Sequence, residues 1–113
     1  MPPRESGISR SAFTILLAIA DQPRHGLGIV DEVAARTGGQ VRLGPGTLYG
    51  TLQKLVETGL IRETAEVPDP ADDDPRRRYY RITARGSRAL QEEANRMRSL
   101  VDAAVSKNVL EGT

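Results

Sequence analysis

Apolar positions recur at helical spacing in four stretches of the chain and alternate with polar ones in two short stretches before the last. From Ser9 or Ser11, each able to cap a helix, the run Ala12–Ala20 carries Phe13, Leu16, Leu17 and Ala20 three or four residues apart, with Ile15 and Ile19 widening the stripe. Asp21-Gln22-Pro23 stops it. A second helix is expected from about Gly26 to Thr37, with Leu27, Val30, Val33 and Ala34 inward and Asp31, Glu32 and Arg36 outward, ended by Gly38-Gly39. After an extended connector over Gln40–Leu43, a third helix begins near Gly44-Pro45, because the missing proline N–H has no intrahelical partner in a first turn. Leu48, Leu52, Leu55 and Val56 form its stripe, and Gly59 closes it.

Two strands follow, Leu60–Val67 and Arg77–Thr83, joined as a hairpin through the proline-bracketed segment Pro68–Pro75. Alternation puts Tyr80 and Ile82 on one face of the second strand and Tyr79, Arg81 and Thr83 on the other. Thr83 then caps a last helix to about Leu110, apolar at Leu90, Ala94, Met97, Val101 and Ala104. At 1.5 Å per residue its roughly 27 residues would run about 40 Å, more than so small a core can cover. Its seam calls for a partner, and a second copy of the chain is the simplest.

The order helix, helix, helix, hairpin, helix is the layout of a winged helix-turn-helix with one helix appended. The fold class is therefore mainly α with a small β-hairpin. Residues 1–8 read as a disordered leader, 9–83 as the winged helix-turn-helix, and 84–113 as a C-terminal dimerisation helix. A chain of 113 residues has room for one core.

Composition removes several classes of function. With no cysteine there is no disulfide framework, thiolate zinc site or cysteine nucleophile. No apolar run is long enough to span a bilayer, and no signal-peptide core follows Met1–Ser6, so a cytoplasmic location and no membrane contact are expected. The one histidine, His25, sits at the start of the second helix and reads as a cap for backbone groups, with no second histidine to complete a metal site. No serine lies in a nucleophile elbow, and Gly44-Pro45-Gly46 lacks the lysine and spacing of a phosphate-binding loop. Neither an enzyme, a metal nor a cofactor is expected.

The net charge of +1 conceals a strong segregation. Residues 1–67 balance, the acidic segment 68–75 holds −4, and 76–88 holds +6 from Arg76, Arg77, Arg78, Arg81, Arg85 and Arg88. On the third helix Thr47, Tyr49, Gly50, Gln53 and Lys54 offer a narrow, hydrogen-bonding surface of the kind a DNA-reading helix needs. Taken alone, that face is equally an ordinary solvated one. The hairpin tips the balance, because Arg76-Arg77-Arg78 and Arg81 form a basic strip where a wing would approach a phosphate backbone. The neighbouring Asp72-Asp73-Asp74 would neutralise these arginines off DNA and oppose loose binding. As a divalent-metal site, three adjacent aspartates on a flexible loop are a poor prospect.

Three segments carry a family resemblance: ILLAIADQPRHG over Ile15–Gly26, LGPGTLYGTLQKLVETGLI over Leu43–Ile61, and RRRYYRIT over Arg76–Thr83 followed by Gly86. On these the sequence resembles the PadR family of bacterial transcriptional regulators, with Leu27 where many relatives place a tyrosine. The resemblance implies a homodimeric repressor on a pseudo-palindromic double-stranded operator. It implies DNA contacts from Thr47, Tyr49, Gly50 and Lys54 and from the Arg76–Tyr79 wing. Dimerisation would run through the last helix packing on the partner's first and last helices, engaging Phe13, Leu90, Ala94, Met97, Val101 and Ala104. Relatives often release DNA on binding phenolic or hydrophobic small molecules. With no tryptophan and one phenylalanine, this chain offers no aromatic sandwich for such an inducer. Two other classes stay open: a winged-helix protein-interaction module that does not read DNA and, ranked last for want of a catalytic constellation, a small-molecule-binding or catalytic dimer using the interface cavity.

Overall fold

Ser9 opens the first helix, α1 (Arg10–Ala18), by accepting a hydrogen bond from the Ala12 amide at 3.1 Å. A computed structural model describes residues 7–72 and 74–112, so most of the expected leader, Asp73 and Thr113 lie outside the described residues. The inward face of α1 is Ala12, Ile15, Leu16 and Ile19, all buried, whereas Phe13 is half-buried and Leu17 is 48% exposed. This corrects the expected stripe. The helix is apolar almost all round, so spacing alone does not choose which edge turns inward.

Strand β1 (Arg24–His25) and helix α2 (Gly26–Arg36) follow. Arg24 ties the three elements together: its Nε donates to the Ala18 carbonyl at 2.7 Å, and its guanidinium pairs with Asp21 and Glu32. On α2 the inward residues are Ile29, Val33 and Ala34; Leu27, expected inside, is 57% exposed. Gly38 and Gly39 stop the helix at positive φ, with the Gly39 amide returning to the Ala34 carbonyl at 2.7 Å. The Thr37 hydroxyl then accepts from the Val41 amide, steering the connector.

Helix α3 (Pro45–Glu57) starts at Gly44 with proline in its first turn, and buries Leu48, Leu52 and Leu55. Val56, counted into the stripe from spacing, is 40% exposed. Gly59, at φ +79°, turns the chain into β2 (Ile61–Thr64). Strand β3 (Tyr79–Ile82) pairs antiparallel with β2, Ile61 opposite Ile82 and Thr64 opposite Tyr79. Both strands are shorter than expected, and Arg77 and Arg78 precede β3 instead of belonging to it. The sheet also has a third strand, in the order β1-β3-β2, with His25 opposite Tyr79. The expected two-stranded hairpin is thus the outer part of a three-stranded sheet. A two-residue strand made of Arg24 and His25 has no alternation to detect.

Thr83 caps α4 (Ala84–Ser106) by accepting from the Gly86 amide at 3.0 Å, while its hydroxyl lies 2.7 Å from the Gly59 carbonyl. Gly86 crosses the end of α3 so closely that a Cβ would stand 2.0 Å from the Leu60 carbonyl oxygen. The helix ends at Ser106, one turn short of the expected Leu110, where Asn108 adopts φ +62°. Its 23 residues still extend about 35 Å. Only Gly86 on it is buried, and Leu90 packs on the margin of a core centred on Ile15, Leu16, Ile29, Leu52 and Ile61.

Candidate nucleic-acid interface

The polar face of α3 stands open. Thr47, Tyr49, Gly50, Gln53 and Lys54 are all exposed, Tyr49 at 57%. A Cβ built on Gly44, Gly46 or Gly50 meets nothing within 4 Å, so the start of the helix presents a low, unobstructed surface. Gln53 donates to the Glu57 carboxylate at 3.2 Å, which holds it along the helix.

Three of the wing cations, Arg76, Arg78 and Arg81, stand in ion pairs. Asp74 accepts from the Arg76 backbone amide at 2.9 Å and from its guanidinium at 3.1 and 3.2 Å. These hydrogen bonds hold the Asp74 carboxyl below its ordinary pKa. Arg78 pairs with Glu63 at 3.5 Å, and Arg81 with Glu66 at 3.0 Å, across the β2–β3 hairpin. All four partners are at least partly exposed, so such pairs are weak and exchangeable. Among the described residues, the carboxylates paired with the wing arginines are Asp74 of the acidic loop, Glu63 of β2 and Glu66 just beyond it, and spacing did not single out the two glutamates.

Tyr79, expected among the contacting residues, is 5% exposed. His25 stands edge-on to it, with ring centroids 5.2 Å apart. Tyr80 is buried on the opposite side of the strand, and burial raises its phenol pKa. Alternation grouped Tyr79 with Arg81 and Thr83; the His25 side chain, opposite Tyr79 in the β1–β3 pairing, packs against its ring.

His25 caps α2, its Nδ1 accepting from the Gly28 amide at 3.1 Å, as its place in the sequence suggests. Its Nε2 lies 3.2 Å from Arg77 Nη1. A cleft of about 350 Å³ opens here, lined by His25, Gly26, Leu27, Tyr49, Arg76, Arg77, Arg78 and Tyr80. A second, of about 440 Å³, continues past Tyr49, Gln53, Glu57, Glu63 and Arg78. The fold thus brings Tyr49 and Gln53 of α3 together with the wing arginines, while Thr47, Gly50 and Lys54 stay on the open helix face outside both clefts. Sequence reasoning missed His25, Gly26 and Leu27 as cleft residues. The His-Gly pair ending the first quoted segment was the available signal.

Of the residues expected at a dimer interface, Phe13, Leu90, Met97 and Ala104 are half-buried, and Ala94 and Val101 are exposed. Leu100, outside the expected set, is 67% exposed. Among the described residues no helix is long and apolar enough to cross a membrane, and no group of three His, Asp or Glu side chains is placed to hold a metal.

Residues 15–92 match the model of the transcriptional regulator PadR-like family. The chain belongs to that family. Among relatives of this PadR-like chain, the transcriptional regulator Rv3488 of Mycobacterium tuberculosis is 37% identical over 86 residues, covering 76% of this chain and 74% of its own. A 37.1 kDa protein in a transposon of Streptomyces fradiae is 36% identical over 86 residues, of whose length the match spans 22%. A solved transcriptional regulator from Clostridium thermocellum superposes with a TM-score of 0.71 at 22% identity, covering 91% of this chain and 99% of that one. The PadR-like winged-helix fold is thereby established, in a family of transcriptional regulators and not of enzymes.

Proposed function

We propose that this PadR-like protein is a homodimeric repressor that reads a pseudo-palindromic double-stranded operator. In this reading α3 enters the major groove, Thr47, Tyr49, Gly50 and Gln53 face base edges and sugars, and Lys54 with Arg76, Arg77 and Arg78 takes flanking phosphates. The observation that carries it is the shared cleft of Tyr49 and the wing arginines beside the open face of α3. Helix and wing then meet one duplex together. Tyr79, beneath His25, acts in this account as the support of the wing. The exposed Leu100 and Val101 of α4 supply the unpartnered seam that a second copy would cover.

Release by a small hydrophobic or phenolic ligand belongs to the same proposal, and a specific feature supports it. An apolar cleft of about 310 Å³ lies between α1 and α2, walled by Leu17, Ala18, Ala20 and Val33. Selection of bound fragments from genomic DNA tests DNA reading directly. The expected outcome is an enriched inverted repeat, and recovery of unenriched sequence would favour a protein-interaction module instead.

A further inference from the structure

We propose that Gln53 is the adenine-reading residue of α3, one adenine in each half-site, and that Glu57 is its positioning residue. The inference rests on the DNA-binding reading above and names the base that one part of that surface selects.

Both residues are exposed, and residues four apart on a helix are neighbours on its surface. Gln53 Nε2 donates to Glu57 Oε2 at 3.2 Å, and among the described residues this is the one hydrogen bond of the Gln53 side chain. A carboxylate accepts and does not donate, so the contact decides which end of the amide faces Glu57. The nitrogen lies toward it, and the carbonyl oxygen is left to solvent. One N–H is engaged, while a second N–H and the carbonyl oxygen remain on the same planar amide. That is one donor and one acceptor. In the major groove adenine alone offers the matching acceptor and donor, at N7 and N6. Guanine presents two acceptors, thymine one acceptor and cytosine one donor, so each leaves part of the amide unpaired.

Two features favour a base over a phosphate as the partner here. Glu57 sets a negative charge on the face that would meet a polyanion, which opposes a phosphate contact at this point of the helix. What it supplies in return is the orientation of Gln53. Three residues before Gln53, Gly50 carries no side chain, and a Cβ built there meets nothing within 4 Å. The packing of the chain therefore does not require glycine at position 50, although glycine inside a helix lowers its stability. Its absence of a side chain lets base edges come close beside Gln53.

The test is selection from a random duplex library by wild type, Gln53→Ala, Glu57→Ala and Glu57→Gln. Anisotropy titrations of the enriched duplex follow, with each of the four bases placed in turn at every half-site position. The variants change exposed side chains, and circular dichroism melts verify that they fold. Wild type should show one position per half-site where adenine is preferred by about tenfold or more, the scale of a bidentate amide–adenine pair. Gln53→Ala should not discriminate there. Glu57→Ala should shrink the preference about fivefold, the worth of one hydrogen bond, while binding every duplex more tightly because a repelling charge is gone. Glu57→Gln, whose amide carbonyl accepts the same hydrogen bond, should keep the preference. An enriched operator with no adenine that responds to Gln53→Ala, or with another base at the responding position, would overturn the assignment while leaving DNA reading intact. Equal losses in the two Glu57 variants, or no loss in either, would overturn Glu57 as the positioning residue. Enrichment of no sequence by wild type would overturn the assignment and DNA reading together.

Discussion

His25 meets Tyr79 edge-on, with ring planes at 90° and centroids 5.2 Å apart, at the point where β1 pairs with β3. This contact joins the start of α2 to the wing strand, so the two cannot move independently. Tyr79→Ala should lower stability by about 3 kcal/mol, the scale for deleting a buried aromatic ring. Urea unfolding checks it. Unchanged stability with lost DNA binding would return Tyr79 to the surface role expected of it from sequence.

Much of this fold was legible because its ends are chemically marked. Ser9, Gly38-Gly39, Gly44-Pro45, Gly59 and Thr83 each perform the capping or stopping role their residue type favours. What stayed hidden depends on tertiary packing. The turn of α1 about its axis was undetermined because Leu17 and Ile19 are equally apolar, and only the arrangement of α2 and α3 buries one and leaves the other exposed. The same holds for Ile29 against Leu27. Tyr79 and the cleft escaped notice because β1, two residues long, brings together side chains more than fifty positions apart. The basic and polar residues of the candidate interface were legible as chemistry, but their convergence on one cleft was not.

Gly86 admits no larger residue. With the Leu60 carbonyl 2.0 Å from where a Cβ would stand, Gly86→Ala must push α4 away from the end of α3. A loss of about 3 kcal/mol is expected, at the upper end for overpacking. Thermal melts would show it, and an unaltered midpoint would mean that α4 docks more loosely than described.

Asp74 holds Arg76 through its backbone and its side chain at once. Asp74→Asn weakens that hold and should raise affinity for random-sequence DNA by about twofold to fivefold at low salt, the scale of one exposed ion pair. The carboxyl has a lowered pKa in the fold, so the pair persists at neutral pH and is lost only as pH falls below the ordinary 3.8 and through the lowered value. No such change is expected between pH 6 and 8. Unaltered non-specific affinity in the variant would remove Asp74 from any restraining role.

The outer seam of α4 is exposed at Leu100 and Val101. Leu100→Glu with Val101→Glu should give a folded monomer by analytical ultracentrifugation, with helix content kept because both positions are solvent-facing within the chain. The monomer should bind operator at least tenfold more weakly, since each half-site would then be met alone. A dimer that survives both charges would place the interface elsewhere.

The most direct test of the account is the salt dependence of binding to the selected operator, followed by fluorescence anisotropy for wild type, Lys54→Ala and Arg77→Ala. Wild type should lose affinity steeply with added salt, and each variant should bind more weakly with a log–log slope shallower by about one, the signature of one lost phosphate contact. Equal slopes in all three proteins, or no preference for the operator over a scrambled duplex, would contradict the division of labour between the reading helix and the gripping wing.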